Sequence, residues 1–170
     1  MKNCFLLLLL CMLLGFKLMA QNKFATDVLL ITGKVKKEKT FTLNQIKANR
    51  TILLGEVNIS CSPKQKEDAK GVKAILVKDL LDSVKFDYSS GKMLNQFYFK
   101  FEASDGYVVV FSFNEIYNTE VGKQLFIVTE NNGTDIANLD NRILMLSNSD
   151  LKPGSRNLKG LKRIVVCQAE

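Results

Sequence analysis

The sequence predicts an α+β domain: a mixed, β-rich core with short helices. Three observations carry this. Two apolar-alternating runs, 96–102 and 107–113, flank Ser104-Asp105-Gly106-Tyr107. The alternation is that of half-buried strands, and the Asp-Gly pair is the reversal between them. Val77, Leu80, Leu81 and Val84 fall at i, i+3, i+4 and i+7, which is one apolar helix face, with Lys78, Asp79 and Asp82 outside it. Several further short extended runs are spread along the chain, with no internal repeat and no linker long enough to divide it.

The elements follow in order. Residues 27–35, DVLLITGKV, read as a first strand. Thr42 and Gln45 have the spacing of a capping box, so a short helix is expected to start there. Residues 51–61 read as one extended run, with Val57 and Ile59 on one face. Residues 62–70 are polar, carry Pro63 and read as a surface loop. After the helix at 77–84 and the hairpin, 114–119 read as a turn or short helix. Strands are expected over 124–130 and 142–147, with Asn131-Asn132-Gly133 starting the turn between them. A last strand, 161–167, closes the chain.

Residues 1–20 read as a secretory signal peptide. Lys2 precedes an apolar stretch from Phe5 to Leu14, and Ala20 offers a small residue at the cut. That stretch is too short for a membrane span, which needs about 20 residues. No twin-arginine pair precedes it. The expected mature chain is 21–170, one domain, secreted or periplasmic. Without Lys2 and Lys17 it carries 22 basic against 17 acidic residues, a net charge of +5. Lys34, Lys36, Lys37 and Lys39 form a small basic cluster that reads as a solvated turn. Export, and the lack of a stripe of basic and aromatic residues, argue against nucleic acid as a partner.

Absent residues exclude chemistry. The chain has no histidine and no tryptophan, so a histidine-based triad or zinc site is impossible. No glycine-rich phosphate loop is present, and Asp135, Asp140 and Asp150 are too scattered for a calcium loop. Cys61 and Cys167 are the two cysteines beyond the signal segment. An oxidising compartment permits them to pair, closing a loop of about 100 residues.

Several blocks, in this order, resemble the sulfite-oxidase-type molybdopterin-binding domain. Leu30-Ile31-Thr32-Gly33 leads toward Phe41-Thr42-Leu43, like that family's first strand, glycine turn and short helix. Val57-Asn58-Ile59-Ser60-Cys61 is similar to the strand that delivers a cysteine. Gly71-Val72 precedes Asp79-Leu80-Leu81, and Asp105-Gly106-Tyr107 sits on the hairpin. The last block is Arg142 to Leu146, Gly154 to Arg156, and Lys159 to Val166. The resemblance covers nearly all of 21–170. It implies a sulfite-oxidase-like fold and a pterin dithiolene carrying molybdenum. It also implies that the Cys61 thiolate is a metal ligand and that Asp105, Gly106, Tyr107, Arg156 and Lys159 lie about the cofactor.

Each residue also has a plainer reading. Cys61 is structural, buried or paired with Cys167. Asp105 forms the turn. Tyr107 packs its ring and finds a partner for its hydroxyl. Arg156, Lys159, Lys162 and Arg163 are either a phosphate-holding group or solvated charges on the final strand. The family surrounds its cofactor with histidine, arginine and tryptophan, and proteins loaded with it leave the cytoplasm by the twin-arginine route. This chain supplies neither histidine nor tryptophan and has a plain signal. The expectation is therefore an exported, cofactor-free binding module for a small anionic ligand or a protein partner. The alternative is a molybdopterin-dependent oxidoreductase using Cys61.

Overall fold

Phe97, Phe99, Phe101 and Ala103 are buried while Tyr98, Lys100 and Glu102 between them are partly exposed. This strict period of two sets the plane of the larger sheet. The structure is a computed structural model and describes residues 26–62, 64–152 and 154–170. The signal-peptide reading falls on 1–20, outside those residues. Among the described residues no helix is long and apolar enough to cross a membrane.

The strands are β1 (Val28–Gly33), β2 (Lys39–Thr42), β3 (Ile52–Leu53), β4 (Val57–Asn58), β5 (Asp68–Ala69) and β6 (Lys73–Leu76). They continue with β7 (Phe97–Ala103), β8 (Val108–Ser112), β9 (Leu125–Asn131), β10 (Thr134–Asp135), β11 (Met145–Ser147) and β12 (Leu161–Gln168). The helices are α1 (Leu43–Lys47), α2 (Val77–Leu81), α3 (Phe113–Asn118) and α4 (Glu120–Lys123). The first sheet has the order β2-β1-β12-β7-β8; only β1 and β12 within it run parallel. In the second sheet β9 is flanked by β6 on one side and by β10 and β11 on the other, with β3 beyond β6. β4 and β5 pair separately. This is the mixed, β-rich architecture with short helices that the patterning predicts.

The main core lies between the inner face of the first sheet and one face of the second, with Ile46 of α1, Leu80 and Leu81 of α2 and Ile116 of α3 filling it. The second sheet is apolar on both faces. Leu125 and Ile127 enter the main core, while Phe126 and Val128 enter a smaller cluster with Leu54, Ile59, Ala69, Val72 and Leu146. A continuous apolar run such as 125–128 is what a doubly covered strand requires. The smaller cluster matters for function because Cys61 packs on its border.

The Thr42–Gln45 capping box is present as expected, and α2 buries Val77, Leu80 and Leu81. A second box, Ser112 with Glu115, starts α3. Three expectations are corrected. Residues 51–61 do not form one strand: Gly55 and Glu56 break them into β3 and β4, which join different sheets. Residues 62–70 are not wholly loop, since Asp68–Ala69 returns to pair β4. Arg142 adopts a left-handed φ of 46°, so the strand expected from 142 starts at Met145. Asn132-Gly133, with φ values of 49° and 77°, starts the turn after β9 as expected, a tight hairpin onto the short β10.

Candidate functional site

Asn58, at the end of β4, organises the loop that carries Cys61. Its Oδ1 accepts from the Ser60 N–H at 3.0 Å and from the Glu67 N–H at 3.1 Å. Ser60 Oγ then accepts from the Ser62 N–H at 3.1 Å. Short polar side chains that bond nearby backbone make compact turns. Here they fold 59–67 so that Cys61 stands at the rim of a cavity of about 520 Å³. The β4–β5 loop supplies one wall, with Ser60, Cys61 and Glu67. The β7–β8 hairpin supplies Ala103, Asp105 and Tyr107, and the segment before β12 supplies Ser155, Asn157 and Lys159.

Side-chain bonds lock these three segments together. Asn157, 1% exposed, donates from Nδ2 to the carbonyls of Asn58 at 3.1 Å and Ser60 at 2.8 Å. Its Oδ1 accepts from the Ser147 N–H of β11 at 2.8 Å. The Tyr107 hydroxyl donates to the Ser155 carbonyl at 2.9 Å, and the Tyr107 N–H donates to Asp105 Oδ1 at 2.9 Å. Gly154 lies so close to the Cys61 loop that a Cβ there would sit 2.8 Å from the Ser60 carbonyl oxygen, and its φ is +85°. Only glycine meets both conditions.

Asp105, Tyr107, Lys159 and Cys61, from three distant stretches of sequence, thus meet around one cavity. Gly106, with φ +90°, is the apex of the turn between Asp105 and Tyr107. Arg156 is elsewhere, contrary to the expectation that placed it at the site. Its Nε and Nη2 bind Asp150 at 3.0 and 2.6 Å, its Nη1 binds Glu115 at 3.0 Å, and its guanidinium lies 4.0 Å from the centre of the Phe111 ring. Burial raises the Glu115 carboxyl, but the Ser112 N–H, Arg156 and the Ser112 hydroxyl outweigh it and hold Glu115 below the ordinary carboxylate range. Arg163 pairs with Glu102 on the first sheet at 2.5 Å, and Lys162 is exposed. Of the four basic residues read as a possible phosphate-holding group, only Lys159 lines the cavity.

Cys61 and Cys167 are both free thiols. Cys167 lies on β12 opposite Tyr98 of β7, while Cys61 lies at the cavity. Burial pushes the Cys61 thiol up to about 11; the Lys159 charge and backbone N–H pull it down, and the Glu67 and Asp105 carboxylates push it further up. At neutral pH it is a protonated thiol, and the thiolate is the form that attacks and that binds metal. Alkylation of Cys61 by iodoacetamide, followed by peptide mass spectrometry, is therefore expected to be slow at pH 8 and to climb about tenfold per pH unit toward 11. A rate at pH 8 equal to that of an unfolded cysteine peptide would refute this.

Sequence reasoning missed Asn157, Ser60, Glu67 and Ser155. Asn58-Ile59-Ser60 carried a usable turn signal. Asn157 carried none, because the two carbonyls that it ties down at the Cys61 loop lie 97 and 99 residues away.

No family model matches this chain, and no curated protein matches it. Among solved structures it is similar to the sulfane dehydrogenase SoxCD from Paracoccus pantotrophus, with a TM-score of 0.56 and 12% identity. The likeness covers 82% of this chain and 37% of that one. The shared property is the fold alone, and it agrees with the fold that the sequence resemblance implies. The chain thus spans little more than a third of that enzyme's length.

Proposed function

We propose that this protein is an exported binding module that keeps a molybdopterin-oxidoreductase fold without the metal cofactor, and that the Cys61 cavity receives its ligand. The observation that carries the reading is the charge of the cavity. Among the described residues Lys159 is the only cation that lines it, together with the carboxylates of Glu67 and Asp105 and a thiol that burial keeps protonated. A molybdopterin group brings a phosphate and asks for a thiolate and several cations. The residues present do not fit it, because Arg156 is committed to Asp150 and Glu115. A small ligand with one negative charge for Lys159, and hydrogen-bond donors for the two carboxylates, fits better. Export rests on Lys2, the apolar stretch and Ala20 in residues 1–20.

The alternative, a molybdopterin oxidoreductase with Cys61 as thiolate ligand, draws on two observations. Cys61 opens onto the cavity, and the fold is similar to that of a sulfane dehydrogenase. Elemental analysis for molybdenum and tungsten separates the two readings. It is to be made on the protein purified from its own host under conditions where that host makes the cofactor. The expected result is metal far below one equivalent. Near-stoichiometric metal that disappears in Cys61→Ser would overturn the binding-module reading and establish the enzyme.

A further inference from the structure

The lysine cluster of the β1–β2 turn does not stand alone. Lys36 N–H donates to the Lys85 carbonyl at 2.8 Å, Asp87 N–H donates to the Lys34 carbonyl at 2.9 Å, and Val35 and Phe86 form an isolated antiparallel bridge between them. The backbone therefore holds 34–39 against 83–88 and brings Lys85, distant in sequence, beside Lys34, Lys36, Lys37 and Lys39. Five lysines share this surface with two carboxylates, Glu38 and Asp87. Asp87 is bound by Lys36. Lys39 reaches the Ser83 carbonyl at 3.2 Å and lies over the Phe41 ring. Among the described residues, Lys37 and Lys85 make no ion pair.

Two shallow concavities of about 520 and 370 Å³ open here and share Lys36, Val84 and Lys85. One of them is bordered by Tyr88, whose side chain is 43% exposed next to the half-buried Phe86. The arrangement is a broad positive face with an aromatic ring at its edge. A single small anion needs donors that converge on one point, and these lysines are spread over an open surface. An array of phosphates matches that spread, and tyrosine is the residue that settles at a lipid–water interface. Lysines near an anionic bilayer each add a roughly equal increment of binding that salt screens.

We propose that the face formed by residues 34–39 and 83–88 docks the protein onto an anionic phospholipid surface, with the lysines on the headgroup phosphates and Tyr88 at the interface.

The test uses the protein as purified from its own host, with cosedimentation on vesicles of phosphatidylcholine alone and of phosphatidylcholine with about 30% phosphatidylglycerol. Expected are binding to the anionic vesicles at low ionic strength, loss of most of it at 0.5 M salt, and little binding to neutral vesicles. The double variant Lys37→Gln, Lys85→Gln is expected to bind roughly 30-fold more weakly, about fivefold per lysine, with an unchanged melting temperature because both side chains are exposed. Tyr88→Ser should weaken binding without changing its salt dependence. Equal binding to neutral vesicles, or a double variant that binds as the parent does, would overturn the proposal. So would binding of soluble polyphosphate with no binding to either vesicle, since that outcome assigns the face to a soluble polyanion.

Discussion

Replacing Asn157 by alanine is expected to lower the free energy of unfolding by about 3 kcal/mol, and the melting temperature by roughly 10 °C. A net hydrogen bond is worth only about 1 kcal/mol, but a buried group left without its partner costs more than the bond was worth. Asn157 is 1% exposed and makes three such bonds. Alanine would leave the Asn58 and Ser60 carbonyls and the Ser147 N–H without it, in a place water reaches poorly. The effect should extend to the cavity, because those carbonyls anchor the loop that presents Cys61. Faster alkylation of Cys61 in Asn157→Ala than in the parent at the same pH would report the loosened wall. Asn157→Asp sharpens the test. It keeps an acceptor for Ser147 but turns a carboxylate toward two carbonyls, so its buried carboxyl is expected to have a raised pKa. A group that binds its proton more tightly when folded favours folding at low pH, and that contribution is lost as pH rises. The deficit of Asn157→Asp should therefore be smaller at pH 5 than at pH 8. A loss under 1 kcal/mol for Asn157→Ala would show that the loop holds its shape without this residue.

What the sequence revealed about this molecule follows the range of the forces involved. Thr42 with Gln45, the helix face Val77-Leu80-Leu81, and the alternation through 97–112 act over a few residues, and each leaves a periodic trace. The break at Gly55-Glu56 has a local cause, yet an apolar run on either side hid it. The cavity is different in kind. Cys61, Tyr107 and Lys159 were recognisable only through a family resemblance, because their meeting depends on how β4, the β7–β8 hairpin and the segment before β12 dock. Arg156 shows the limit most clearly. Beside Gly154 in sequence it reads as a cavity cation. In the fold, Glu115 at the start of α3 and Asp150 after β11 capture it over the Phe111 ring. An arginine goes where carboxylates and an aromatic face meet its planar fork, and those partners lie 41 and 6 residues away. The cavity thereby loses a cation that the family resemblance would have assigned to it, which leaves Lys159 against the two carboxylates of Glu67 and Asp105.

Phe101→Ala is expected to cost about 4 kcal/mol, more than Asn157→Ala. Phe101 is fully buried at the centre of β7, paired with Ile164 of β12 on one side and Val109 of β8 on the other. Its ring meets Phe111 edge-on, with centroids 5.5 Å apart. Truncation removes apolar surface burial and leaves a cavity that the sheet cannot close, since β7 is held on both edges. Val110→Ala on the neighbouring strand is the control. Val110 faces outward and is 47% exposed, so its change should stay within about 0.5 kcal/mol. The pair of results tests the alternation itself: a register shifted by one residue would exchange the two sides and invert the ranking. A double-mutant cycle with Phe111→Ala then isolates the ring pair, for which a coupling of about 1 kcal/mol is expected. Phe111 also carries the Arg156 guanidinium on its face. Phe111→Ala should consequently cost more than its lost area, whereas Phe111→Leu should recover part of the packing but none of that cation contact. If Phe111→Leu behaved like the parent in chemical denaturation, the contact between Arg156 and the ring would contribute nothing measurable, and Asp150 and Glu115 alone would be holding the guanidinium away from the cavity.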